Sequence, residues 1–296
     1  MASKGILMFA HNNNELDYMR LAVVNALLVQ KNMGLTREQI TIVTDVHSLA
    51  YAEETLTSLV HQACGNYIVV DVDQKFKYQN QRQFRDTSLT VKKLPFYNAN
   101  RCDAYELSPY DQTLVIDVDY LILSDSLNAC WDHHNELMMN WEYHDVMHGR
   151  EYSELHRISD LGITMYWATV VYFCKTEYCK TFFNFVKHVR DNRGYYGDLY
   201  NWRSGIYRND FSFSIAAHML TGYVDRQLPQ LPVKLYKTFD NDDVHNIDGP
   251  NNILLYLEKI RSPNDFIMTR WRDVDIHIMN KWALNRISEK MIEYVT

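Results

Sequence analysis

Short apolar runs alternate with longer amphipathic ones through the first seventy residues, and this alternation most restricts the fold. Residues 6–10 are one apolar run, short enough for a buried strand. His11-Asn12-Asn13-Asn14 is turn chemistry, with Asn14 placed to cap a helix. Leu16, Met19, Val23, Ala26 and Leu27 then repeat at three- and four-residue spacing, one helix face, and Gly34 ends it. Residues 40–43 read as a second strand followed by Thr44-Asp45, residues 48–63 as a helix, and residues 67–70 as a third strand. A strand–helix–strand–helix–strand order requires a parallel sheet with right-handed crossovers. Ligands of such sheets sit beyond the carboxyl ends of the strands. That singles out the polar residues after strands: Asn12, Asp45, Asp71, Asp73, Asp117 and Asp119.

The second half is less regular. An apolar run at 168–174, a helix over 177–191 and another over 211–221 are readable. Without low-complexity stretch, repeat or linker, the 296 residues read as a single domain. Neither GxGxxG nor GxxxxGK[ST] occurs, so the common dinucleotide and P-loop fingerprints are missing. Net charge is −7, which argues against a chain held on nucleic acid by bulk charge. One stretch runs the other way: from Lys75 to Arg101 there are seven basic residues and one acidic, Asp86. It could steer a nucleotide diphosphate or DNA phosphates, or be an ordinary basic surface. Five cysteines without a CxxC pair point to free thiols in a reducing compartment. No apolar run suits a signal peptide or a membrane span, so the expectation is a soluble cytoplasmic protein with no membrane or protein partner.

The sharpest chemical signal is Leu114-Val115-Ile116-Asp117-Val118-Asp119-Tyr120-Leu121-Ile122-Leu123. An extended chain would send Val118 to one face and its neighbours to the other. A tight turn at the strand end lets both carboxylates reach one cation, and oxygen ligands suit Mg²⁺ or Mn²⁺. Asp71-Val72-Asp73 repeats the pattern but runs into a charged segment and reads as a loop. A lone pair of this kind is equally well a solvated strand end. His133, His134, His144, His148 and His156 crowd one region, but Gly149 interrupts and no HExxH occurs.

Thr90-Val91-Lys92-Lys93-Leu94-Pro95 followed by the Asp117-Val118-Asp119 strand resembles the GT-A glycosyltransferases of the glycogenin-like, family 8 type. In that class a lysine-bearing helix precedes the acidic strand. The resemblance spans essentially the whole chain and implies a Rossmann-like, mostly parallel α/β sheet flanked by helices. Residues 1–125 would be its nucleotide-binding half and 126–296 its acceptor half. It also implies roles. Asp117, Asp119 and His277 would hold Mn²⁺ or Mg²⁺. Asn12, Tyr18, Asp45, Lys93 and Lys281 would bind the donor, a UDP-sugar, with Lys281 meeting the diphosphate. Asp210, in Asn209-Asp210-Phe211, would stand near the transferred sugar, although a carboxylate there also serves as a helix cap. The activity implied is hexosyl or pentosyl transfer, with retention of anomeric configuration.

The chain is also similar to glycosyltransferases of large tailed bacteriophages, which carry a like Arg208-Asn209-Asp210-Phe211 helix start. That similarity implies an acceptor in double-stranded DNA, a hydroxymethylated pyrimidine, with Trp141, Tyr143, Tyr195 and Tyr196 available for stacking. A saccharide, lipid or protein acceptor is the alternative. A non-catalytic nucleotide-sugar-binding module, and an aspartyl-nucleophile phosphohydrolase, complete the set. The latter normally carries its motif after the first strand, not past residue 110.

Overall fold

The computed structural model of the chain describes residues 3–13, 15–71, 81–86, 90–95, 97–147, 150, 156–159, 162–202, 207–259 and 262–296. Strand β1 (Lys4–Phe9) is buried from Gly5 onward, as its apolar run requires. Helix α1 (Tyr18–Met33) is capped by Asp17, whose carboxylate accepts from the Arg20 amide. The expected cap, Asn14, lies outside the described residues, and Leu16 sits in the turn before the helix. The helix ends as expected at Gly34, in the left-handed region at φ 70°.

Strand β2 (Ile40–Thr44) is wholly buried. The single helix expected over 48–63 is two, α2 (Val46–Leu56) and α3 (Ser58–Ala63), broken at Thr57 with φ 50°. Hydroxyl-bearing and β-branched residues cluster there, and both disfavour helix interiors. After β3 (Asn66–Val69) comes a hairpin of β4 (Gln81–Arg85) and β5 (Val91–Pro95). Here the expectation of a lysine-bearing helix is overturned. The antiparallel register puts Phe84 of β4 and Leu94 of β5 on one face of the hairpin, where both pack with Leu16.

A short helix α4 (Ala104–Leu107) leads into β6 (Gln112–Ile116), then β7 (Tyr120–Leu121), β8 (Leu137–Asn140) and β9 (His144–Asp145). Strand β10 (Trp167–Cys174), α5 (Glu177–Asp191), α6 (Arg193–Leu199) and α7 (Asn209–Leu220) follow. The rest is β11 (Tyr236–Lys237), β12 (Asp243–Ile247), β13 (Asn252–Lys259), β14 (Ser262–Arg272), β15 (Ile276–His277) and α8 (Lys281–Val295).

The central sheet has strand order β3-β2-β1-β6-β10-β8. Its first four strands are mutually parallel, and β10 is antiparallel to both neighbours. Helices flank it, in the α/β arrangement expected. A smaller sheet, β7-β15-β11-β9, stands beyond the end of β6, and β12-β13-β14 form a third. Among the described residues no helix is long and apolar enough to cross a membrane. All five cysteines are unpaired, four of them buried.

Gly5 has no room for a side chain. A Cβ there would lie 2.5 Å from the Tyr110 ring and 2.6 Å from the Gln39 carbonyl oxygen. Gly5→Ala is therefore expected to destabilise the protein by about 2 kcal/mol, the usual cost of overpacking. A variant that melts in urea at the wild-type midpoint would contradict this.

Candidate functional site

The acidic pair sits where β6 leaves the central sheet. The Asp117 amide donates to the Thr169 carbonyl (2.9 Å) and the Tyr120 amide to the Asp117 carbonyl (3.0 Å), closing a tight turn. The chain then re-enters extended structure as β7, which pairs with β15 so that Tyr120 stands opposite His277. The Ile278 amide donates to the Asp119 carbonyl (2.9 Å). Asp275 fastens the same contact, accepting from the Leu123 and Ser124 amides at 2.8 Å each. A residue far along the sequence is thereby held against the turn. One ligand atom each from Asp117, Asp119 and His277 lies within 4.8 Å of the others.

Asp119 is 4% exposed. One carboxylate oxygen is 2.5 Å from the Lys281 ammonium, and the other is 3.4 Å from His277 Nε2. Burial alone would raise its pKa; the Lys281 and His277 charges prevail and hold the carboxyl below its ordinary range. His277 Nδ1 is 3.3 Å from the Thr169 hydroxyl. Lys281 opens α8 behind the cap Asn280, and also donates to the Met279 carbonyl at 3.1 Å.

Asp117 is paired with Arg101, which is buried and also donates to the Thr169 carbonyl at 3.2 Å. For Asp117 burial prevails over Arg101, and its carboxyl is raised. Asp210 lies in the first turn of α7, where the cap position belongs to Arg208. It accepts from the Ala168 amide (3.0 Å) and from Arg208 (2.8 Å). Its carboxyl is lowered: burial acts upward, and Arg208 outweighs it.

These groups meet in one cleft beyond the carboxyl ends of β1 and β6. Of the residues the sequence nominated, Tyr18, Asp117, Asp119, Asp210, His277 and Lys281 line it. Asn12 and Asp45 line an adjoining hollow of about 890 Å³ that shares Tyr97 with the cleft. Asn12 is fixed by the Ser48 hydroxyl (2.8 Å) and Asp17 (3.0 Å), and Asp45 caps α2 and meets His11 Nδ1 at 3.3 Å.

Lys93 lines neither. It is exposed on β5 opposite Gln83, while Arg82 and Leu94 occupy the other face of the hairpin. The lysine assignment presumed helical spacing, and strand alternation transfers the role of cleft cation to Arg82. Of the basic stretch, Arg82 and Arg101 reach the cleft and Lys92 pairs with Glu15; Lys75 and Lys77 lie outside the described residues. So do Val72 and Asp73, while Asp71 lines the adjoining hollow.

Arg101, Arg208 and His11 also line the cleft and were missed by sequence reasoning. The charge excess over 75–101 was the one signal for Arg101. The aromatics nominated for stacking on a base are elsewhere: none of Trp141, Tyr143, Tyr195 and Tyr196 lines the cleft. Tyr143 and Tyr196 are buried, and Tyr143 stacks on His156 at 4.8 Å. Trp167, Tyr97 and Tyr207 take the aromatic places instead. The histidine-rich region supplies no metal cluster among the described residues; His133 and His134 stack on each other, and His148 lies outside them.

No protein-family model matches the sequence, and no curated protein matches it. Similar solved structures include the galactosyltransferase LgtC in complex with donor and acceptor sugar analogues, at 16% identity and TM-score 0.47 over 79% of this chain and 73% of that one. The glycosyltransferase GlyE of Streptococcus pneumoniae TIGR4 is similar at 9% identity and TM-score 0.44, over 78% of this chain and 46% of that one. Mouse xyloside xylosyltransferase 1 is similar at 13% identity and TM-score 0.43, over 75% and 83%. At these identities and scores the likeness carries no functional argument, which rests on the geometry of the cleft.

Proposed function

We propose that the chain is a metal-assisted glycosyltransferase of GT-A type that moves a sugar from a nucleotide diphosphate donor to a hydroxyl. The observation that carries this reading is the convergence of Asp117, Asp119 and His277, with Lys281 beside them, at the carboxyl end of a mostly parallel sheet. Two carboxylates and an imidazole are a donor set that octahedral Mn²⁺ accepts. One ligand atom from each lies within 4.8 Å of the others, so Asp117, Asp119 and His277 are the residues that would hold it. When bound, the ion would neutralise charge on the donor diphosphate.

The protein's own groups supply the rest. Lys281, paired with Asp119, would lie alongside the donor diphosphate. Arg101 keeps Asp117 in place. Asp210, gripped by the Ala168 amide and Arg208, is positioned to orient the sugar or the acceptor hydroxyl. The adjoining hollow, with Asn12 and Asp45, has the volume of a nucleoside site. The stacking residues that a DNA acceptor called for do not line the cleft.

The test uses the full chain with MnCl₂ and a panel of nucleotide sugars, offered free saccharides or hydroxymethylated DNA. Metal-dependent release of nucleoside diphosphate from at least one donor is expected. Release from none, with any acceptor or water, would overturn the proposal. The mass of the product identifies the acceptor.

A further inference from the structure

Among the described residues the cleft is lined by three carboxylates, each with its own cation. Asp117 is paired with Arg101, Asp119 with Lys281 and Asp210 with Arg208. A fourth cation, Arg82, lines the same cleft and has no hydrogen bond or ion pair among the described residues; its guanidinium lies over the Phe84 ring at 5.7 Å. The hairpin that carries it is firmly placed. Phe84 packs edge-on against Trp282 of α8 at 6.2 Å. Arg286 grips Asp86 at 2.7 and 2.8 Å, and Asn280 donates to the Asp86 carbonyl at 3.1 Å. Arg82 is close enough to act electrostatically on both Tyr18 and Asp210, and Tyr18 also feels Asp119. Among the described residues, one positive charge without an ion-pair partner therefore shares the cleft with the acidic pair and Asp210.

On the transferase reading, charge accounting gives that cation a task. A nucleotide diphosphate sugar carries two negative charges, which one divalent ion balances. Transfer breaks the bond between the anomeric carbon and the diphosphate oxygen, and the electron pair leaves with the oxygen. The acceptor oxygen forms the new bond to that carbon, and its proton is released to solvent. The departing nucleoside diphosphate now carries three negative charges. Among the described residues the three ion pairs and the metal–donor pair are already neutral, and Arg82 is the cation left to balance the added charge. We propose that Arg82 is a catalytic residue whose guanidinium takes up the negative charge developing on the leaving diphosphate. A contact that strengthens as the bond breaks lowers the barrier, whereas one equally strong beforehand only tightens binding.

The experiment compares wild type, Arg82→Ala and Arg82→Lys by calorimetry with UDP, UDP-glucose and uridine in MnCl₂, and by turnover of whichever nucleotide sugar the enzyme uses. Loss of a hydrogen-bonded charge should weaken UDP binding of Arg82→Ala by about ten- to a hundredfold. UDP-glucose should lose no more than about threefold and uridine nothing, with kcat falling in step with the UDP loss. Arg82→Lys should recover most of both. Equal losses for all three ligands would mean a structural effect and overturn the proposal, as would unchanged UDP affinity and kcat in Arg82→Ala. A wild-type protein that binds none of the three nucleotides would instead sink the transferase reading, and this assignment with it.

Discussion

Asp119→Asn is expected to lower turnover by at least about a thousandfold, equivalent to about 4 kcal/mol of barrier. The substitution keeps the shape and removes the charge. Asp119 is nearly fully buried, with Lys281 at 2.5 Å on one oxygen and His277 at 3.4 Å on the other. Without its charge the metal-ligand set is left with one carboxylate, and Lys281 becomes a buried cation with no counter-charge. The second effect is structural: breaking a buried pair by removing one partner costs on the order of 3 kcal/mol. Its pH dependence has a definite sign. Because the Asp119 carboxyl is held below its ordinary value, its stabilising contribution is complete above the normal carboxylate pKa. It is lost only as acid takes the pH below that range. Turnover, Mn²⁺ titration by calorimetry and thermal melts at pH 7 separate the two effects. Full wild-type turnover in excess EDTA would refute the metal's part in the argument, and undiminished Mn²⁺ binding by the variant would refute Asp119's.

Arg101→Ala carries the largest expected loss of stability. The arginine side chain is 2% exposed and joins Asp117 to the Thr169 carbonyl. Truncation strands both acceptors and opens a hole beneath the acidic turn. A cost of about 3–5 kcal/mol follows, or a melting temperature lower by roughly 10 °C in a chain of this size. Activity falls too, because burial already raises the Asp117 carboxyl and its cation is then gone. Arg101→Lys should rescue little, since an ammonium cannot reproduce a planar fork that reaches two acceptors. A variant melting within about 1 °C of wild type would show that Arg101 does not support the turn.

The opening half of the fold was legible because its signals are local. Gly34 closes α1, the apolar runs mark β1 to β3, and the helix read near 177–191 is α5. The turn after β6 was legible for the same reason: two acids between two apolar runs. The strands that complete the site were not. Two-residue strands such as β7, β11 and β15 have no period to detect, and they exist because distant segments pair with them. The β4–β5 hairpin carries too few apolar residues to announce its alternation, so Lys93 was chosen over Arg82. Arg101 and Arg208 were hidden differently. An arginine beside an acid reads as a solvated charge until the fold shows which carboxylate it meets.

The pairing of β15 with β7 also bears on when the cleft can be completed during synthesis. The strands β1, β2, β3 and β6 are all complete once Ile116 has left the ribosome, and their sheet can form from that point. His277 and Lys281 emerge some 160 residues later, at ordinary elongation rates a delay of roughly ten to thirty seconds. Through that interval the nascent protein has a sheet and an acidic turn but neither the imidazole nor the ammonium that completes the cleft. Asp119 meets both of its partners only when the last strand docks. A chain stopped before residue 277 therefore carries the acidic turn without the imidazole and the ammonium that meet Asp119.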